Sequence, residues 1–218
     1  MPVGTRGSVR GILPSEVREA GADMVLANTY HLWDLVGHER VRDLGGIHRF
    51  MGWEGPILTD SGGYQVFSFK GFVKVSEDGV QFASPRNGDR KLLTPEIATH
   101  IQETLGVDVA MAFDECIEWP AERDRVAAST ERTTRWLHRC LASRKHPDRT
   151  ALFGIVQGGM FGDMRVAHAQ ELGELDLDGY AIGGLSVGEG HAPMVEMVDI
   201  TAPALPSHKV RYLSLIHI

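Results

Sequence analysis

Six short apolar runs recur along the chain, at residues 23–27, 56–59, 107–113, 151–156, 179–182 and 210–213. They are near-continuous rather than alternating, which marks strands buried on both faces and therefore a parallel sheet. The stretches between them carry helical signals. Thr94-Pro95-Glu96 supplies an N-cap, a proline at the first helical position and an acid in the first turn. Ile97, Ile101 and Leu105 follow at i, i+4 spacing, and Gly106 supplies the stop. Residues 121–143 predict a longer helix with Val126, Thr133, Leu137, Cys140 and Leu141 on one face and arginines elsewhere. Pro14-Ser15-Glu16 and His191-Ala192-Pro193 open two more. The stretch 66–93 breaks the rhythm with Phe67, Phe69, Phe72, Val73, Val75, Val80 and Phe82, and predicts a small β insertion.

Strands alternating with helices at roughly 30–50-residue intervals leave two α/β architectures, a doubly wound sheet or a (β/α)8 barrel. Both place function at the carboxyl ends of the strands. Six strands are too few for a barrel, so the sheet is open or the barrel incomplete.

Composition narrows this only slightly. Of 218 residues, 43% are hydrophobic and 23% charged, ordinary for a globular chain with a buried core. No run approaches the roughly 18–20 apolar residues of a membrane helix, and the first residues lack a signal-peptide pattern. Two cysteines, Cys116 and Cys140, suit a reducing compartment, and the cytoplasm is the expected location. The net charge of −7 does not advertise a nucleic-acid surface. The sign is uneven, however: residues 121–145 hold seven Arg/Lys against three Asp/Glu, and 146–200 hold two against nine.

The chemistry gathers where the runs end. The run at 56–59 leads into Asp60-Ser61-Gly62-Gly63-Tyr64-Gln65, in which a carboxylate and two glycines allow close approach to a ligand, although Asp-Ser-Gly-Gly is equally good turn chemistry. The run at 107–113 ends in Asp114-Glu115-Cys116, and that at 151–156 in Gln157-Gly158-Gly159. The run at 179–182 enters a glycine-rich loop, 183–190, with no lysine after it, so a nucleotide P-loop is not indicated. Two carboxylates, a carboxamide and bare peptide groups match the N1–H, N2–H₂ and O6 edge of guanine, with Tyr64 as a stacking face. Another polar heterocycle meets the same description.

These residues also carry a resemblance. Met1-Pro2-Val3-Gly4-Thr5, Leu26-Ala27-Asn28-Thr29-Tyr30-His31-Leu32, residues 58–66, Phe113-Asp114-Glu115-Cys116, Gly154-Ile155-Val156-Gln157-Gly158-Gly159 and residues 181–190 resemble, in order and spacing, the bacterial tRNA-guanine transglycosylases (queuine tRNA-ribosyltransferases). The resemblance runs from residue 1 to about Leu213. It implies an irregular (β/α)8 barrel with a zinc subdomain, often a homodimer at full length. The implied reaction exchanges guanine at the wobble position of certain tRNAs for the queuosine precursor preQ1. By the same resemblance Asp60 matches the proton acceptor, Asp60, Ser61, Gly62, Gly63 and Tyr64 the base-binding loop, Asp114 and Gln157 the base-edge readers, and Gly184 and Leu185 the backbone contacts. Cys116 and Val187 resemble the bacterial form, favouring preQ1 over queuine. Displacement at the ribose C1′ by a separate aspartate, through a covalent tRNA intermediate, is the implied mechanism.

The resemblance stops at the tail. Residues 1–213 are expected to form a partial barrel domain and Ser214-Leu215-Ile216-His217-Ile218 a non-family tail. The family also has a segment ahead of the residues that match Met1. No residue is assignable as the nucleophile and no zinc set can be drawn, so no metal is expected in this chain; the histidines, such as His31, His48 and His208, read as surface or turn residues. Two rivals stand beside this reading. One is a non-catalytic barrel subunit or base-binding module; the other is an unrelated barrel enzyme on a phosphorylated metabolite, which would bind phosphate at 183–190. The isolated 218-residue chain is expected to be poorly stable and catalytically inactive. An assay for base exchange, or for a denaturation-resistant tRNA adduct, checks this; either product overturns it.

Overall fold

The computed structural model describes residues 1–69 and 71–213. The expected non-family tail, 214–218, lies outside the described residues. Contacts divide the chain into two compact units: Met1–Phe113 with Arg139–Ala151, and Asp114–His138 with the chain from Leu152 onward.

The first unit opens with α1 (Pro14–Glu19), where the Glu16 carboxylate accepts the Leu13 N–H at 2.7 Å and so closes the helix start. Then come β1 (Val25–Ala27), α2 (Thr29–His31), a π-helical turn at Leu32–Val36, α3 (His38–Asp43), α4 (Gly46–Met51), β2 (Ile57–Thr59) and α5 (Gly63–Phe67). The β insertion expected over 66–93 starts later, since Phe67 still belongs to α5, and is an antiparallel sheet of β3 (Val73–Val75), β4 (Val80–Ala83) and β5 (Arg90–Leu93). It is fixed to the π-helical turn through buried Asp34, whose carboxylate pairs with Lys91 and accepts the Ser84 hydroxyl at 2.8 Å and the Tyr30 hydroxyl at 2.9 Å. Next are α6 (Pro95–Leu105) and β6 (Val109–Met111). The signals that predicted α6 all act: the Thr94 hydroxyl accepts the Ile97 N–H at 3.2 Å, and Gly106 ends the helix left-handed at φ 75°. β1 pairs parallel with β2, and β2 with β6.

The second unit takes α7 (Arg123–Ser143) as far as His138, β7 (Ala151–Val156) from Leu152, then α8 (Gly162–Gly173), β8 (Gly179–Ile182), α9 (His191–Thr201) and β9 (Val210–Leu213). β7 pairs parallel with β8, and β8 with β9. The close packing of β7 depends on a glycine, since a Cβ on Gly154 would come within 2.6 Å of Leu177 Cδ1.

The parallel strands follow one another in chain order, β1-β2-β6-β7-β8-β9, without the reversal that a doubly wound sheet requires. The fold class is therefore α/β of the (β/α)8 type, incomplete, with six parallel strands among the described residues. Burial is complete in β1, β2 and β8 and nearly so in β6 and β7, as the unbroken apolar runs predicted, whereas β9 departs from the expectation, with Val210 and Arg211 exposed and Tyr212 and Leu213 half-buried.

Gln102 is the latch of the first unit. Its carboxamide is 1% exposed and makes four bonds: Oε1 accepts from Thr59 Oγ1 at 2.9 Å and Met111 N at 3.0 Å, while Nε2 donates to Ala98 O at 3.1 Å and Met111 O at 3.0 Å. One side chain thus ties α6 to both β2 and β6. Gln102→Leu keeps the volume but strands the Met111 peptide groups. It is expected to cost roughly 2–4 kcal/mol, read as a lower urea midpoint; a midpoint unchanged from wild type removes the latch.

Candidate active site

Asp60 follows β2 directly, and its carboxylate is the hub of the first unit's strand-end turn. It accepts from the Asn28 side-chain amide, the Thr29 N–H at 2.9 Å, the Gln65 Nε2 at 3.0 Å and the Gly62 N–H at 3.1 Å. The Asp60 carbonyl accepts the Thr29 hydroxyl at 2.6 Å. Desolvation pushes the carboxyl above the ordinary carboxylate range, against the pull of those donors, led by Asn28. Buried Ser61 accepts the Gly63 N–H on its hydroxyl at 3.2 Å. Gly62 sits at φ 83°, where a Cβ would press within 3.3 Å of Tyr30 N. Tyr64, on α5, is 47% exposed and so presents a ring that something else can cover. The whole run from Asp60 to Tyr64 is gathered on one turn. Asn28 and Gln65 complete it, and neither was expected as a site residue.

The second unit brings Asp114, Gln157, Gly184 and Leu185 together. The Gln157 Nε2 donates to Asp114 Oδ2 at 2.6 Å, and both residues are buried. Gly184 lies at φ 62°, and a Cβ there would fall 2.3 Å from Gln157 Oε1, so only glycine lets this peptide lie against the carboxamide. From behind, the Gln157 N–H donates to His168 Nδ1 at 2.9 Å. Since Nδ1 accepts, the neutral ring carries its proton on Nε2, which faces Thr134 Oγ1 at 3.1 Å. His168, expected at the surface or in a turn, is instead 2% exposed on α8, and burial lowers its pKa to about 4.

The two adjacent acids part company. Asp114 meets Gln157, whereas Glu115 is taken up by Arg125 at 2.7 Å and by Arg132, both on α7, and its own N–H donates to Thr133 Oγ1 at 3.1 Å. Cys116 is half-buried, and burial, reinforced by the neighbouring Asp114 charge, pushes its thiol up to about 12. A thiol so raised is not poised as a thiolate nucleophile. Cys140 is buried in the first unit, accepts the Phe113 N–H at 3.4 Å and has a pKa of about 11. Among the described residues no three His, Cys, Asp or Glu side chains are grouped to hold a metal, so these residues do not fit a zinc site.

In the loop 183–190 the Glu189 carboxylate accepts the Ser186 and Val187 N–H groups, the latter at 2.8 Å. Those are the donors a bound phosphate would need, which weighs against the phosphorylated-metabolite reading. Beside Gly184 and Val187 lies a cavity of about 150 Å³, walled by Trp119, Val126, Met160 and Phe161.

A family model described as queuine tRNA-ribosyltransferase matches residues 1–216. A queuine tRNA-ribosyltransferase of Pelotomaculum thermopropionicum is 55% identical over 213 residues, 98% of this chain and 57% of the relative. One from Nostoc sp. is also 55% identical with the same coverage, and one from Bacillus licheniformis is 52% identical, again over 98% of this chain and 57% of the relative. The chain thus spans 57% of the length of these curated relatives.

His168 gives the second unit an acid limit. Its folded pKa lies below the unfolded value, so the unfolded chain takes up the proton first and stability falls as pH drops from about 6.5 to about 4. The whole effect is on the order of 3 kcal/mol. His168→Gln keeps an acceptor for the Gln157 N–H without titrating. Its urea midpoint should decline less than that of wild type between pH 7 and 4.5; parallel declines would remove His168 as the cause.

Proposed function

The chain belongs to the queuine tRNA-ribosyltransferase family, and from that membership we propose that it reads a guanine-type base in the exchange of wobble guanine on tRNA for preQ1. The observation that carries this reading is the Asp114–Gln157–Gly184 arrangement. The Asp114 carboxylate accepts the N1–H and N2–H₂ of the base. Gln157 spends one amide hydrogen on Asp114 and leaves the other for O6. The Gly184 N–H supplies a second donor to O6, and the Leu185 main chain a further contact. Buried donors and acceptors fixed before the ligand arrives need no reorganisation when it binds.

Asp60 is the proposed proton acceptor for the base. A carboxyl whose pKa is raised by burial is a stronger base toward the ring nitrogen than an exposed one. The Asn28, Thr29, Gly62 and Gln65 donors hold it in one orientation, and Tyr64 provides a stacking face. The bond to the ribose C1′ is broken by a separate aspartate nucleophile, and no step runs through a metal. Cys116 and Val187 favour preQ1 over queuine. A cytoplasmic location and a homodimer at full length belong to the same proposal; among the described residues no helix is long and apolar enough to cross a membrane.

Titrating guanine and preQ1 against the wild-type chain and Asp114→Ala tests the reading. Losing the carboxylate is expected to weaken both bases roughly ten- to a hundredfold. Equal affinity for the two proteins removes the base-reading role.

A further inference from the structure

Arg165, on α8, is 0% exposed, and among the described residues it makes no salt bridge. Its three guanidinium nitrogens go instead to main-chain carbonyls: Nε to Gly159 O at 2.6 Å, Nη1 to Gly183 O at 3.1 Å and Nη2 to Gly184 O at 3.2 Å. A buried cation is costly unless its partners are well placed. The cost registers here as a pKa lowered to about 10 by desolvation. A norleucine-shaped side chain would fill the space without it.

The three carbonyls belong to two turns that lack regular ladder bonding: Gly158 and Gly159 lie at φ 132° and 55°, and Gly184 at 62°. Supplying donors to such carbonyls is one use of the arginine. The peptide plane gives it a second. The Gly183 carbonyl and the Gly184 N–H belong to one planar trans unit and point in opposite directions. Gripping the Gly183 oxygen therefore fixes where the Gly184 N–H points, and gripping the Gly184 oxygen fixes the next plane, which carries the Leu185 N–H. The Gly184 N–H is directed away from the guanidinium, and Gly184 lies against the Gln157 carboxamide.

We propose that Arg165 is a positioning residue for base recognition, holding the Gly183–Gly184 peptide so that the Gly184 N–H is aimed at the carbonyl oxygen of a guanine-type ligand. This rests on the reading of Asp114, Gln157 and Gly184 given above. The planar fork that spans carbonyls of two turns is specific to arginine, and a lysine ammonium cannot reproduce it. On the same helix, three residues on, His168 holds the peptide of Gln157. One face of α8 thereby holds the main chain at both donor residues.

The test measures dissociation constants of guanine and of 6-thioguanine on the 218-residue chain, in wild type, Arg165→Lys and Arg165→Gln, with folding checked by circular dichroism. Thioguanine keeps N1–H and N2–H₂ and replaces the oxygen by sulfur, a poor acceptor. Wild type should prefer guanine. The folded variants should lose about tenfold for guanine and much less for thioguanine, so that the preference collapses. Loss of both bases in equal proportion, or of neither, overturns the positioning role, because a purely structural arginine would not alter the ratio. Absence of guanine binding to wild type would instead overturn the base-reading proposal and this inference with it. Two variants are used because Arg165→Gln leaves a buried gap; Arg165→Lys retains length and charge and carries the test if the other does not fold.

Discussion

The peptide groups just past a buried parallel strand have no ladder partner and no water, and each left unpaired costs about 1–3 kcal/mol. Much of this molecule is arranged around that constraint. Asp60 answers it after β2, taking the Thr29 and Gly62 N–H groups. Gln102 answers it for Met111 in β6, His168 for Gln157 after β7, and Arg165 for Gly183 and Gly184 after β8. Each is a polar side chain working on main chain, half-buried at Asp60 and buried at the other three. Within each unit the strand-end peptide groups are therefore paired before any ligand is present.

Burial that satisfies the backbone also sets charge states. His168 is held neutral, Cys116 is held as a thiol, and the Asp60 carboxyl is pushed upward while four donors hold it in place. Around the proposed base edge this leaves acceptor strength concentrated at Asp114 and donor strength at Gln157 and Gly184, with the thiol adding little to either. The polarity follows the ligand edge: two adjacent N–H groups beside one carbonyl.

What could be read from sequence was what sequence encodes locally. The helix at Pro95–Leu105 was legible because its cap, its proline and its terminal glycine lie within the element. The strands were legible because burial on both faces writes an unbroken apolar run. Asp60, Asp114 and Gln157 stood out as the first polar residues beyond such runs. Asn28 obeys the same rule after β1, yet no adjacent glycine pair or second acid marked it, and its bond to Asp60 spans 32 positions. His168 and Arg165 were invisible for a related reason. A lone histidine or arginine in a helix reads as solvated, and only the fold shows that α8 turns both inward.

The split between Asp114 and Glu115 accounts for part of the basic excess over residues 121–145. Both acids lie past Met111, the last residue of β6, and the chain there sends their side chains to different partners. Asp114 meets Gln157. Glu115, 1% exposed, needs cations of its own, and leaving it unpaired would be strongly destabilising. Arg125 and Arg132, seven residues apart on one face of α7, meet that need. Part of the basic excess over 121–145 is thus not a solvated face or a surface for a polyanion. It is the counter-charge to a buried acid that lies next to the proposed base-reading pair in sequence but does not join it.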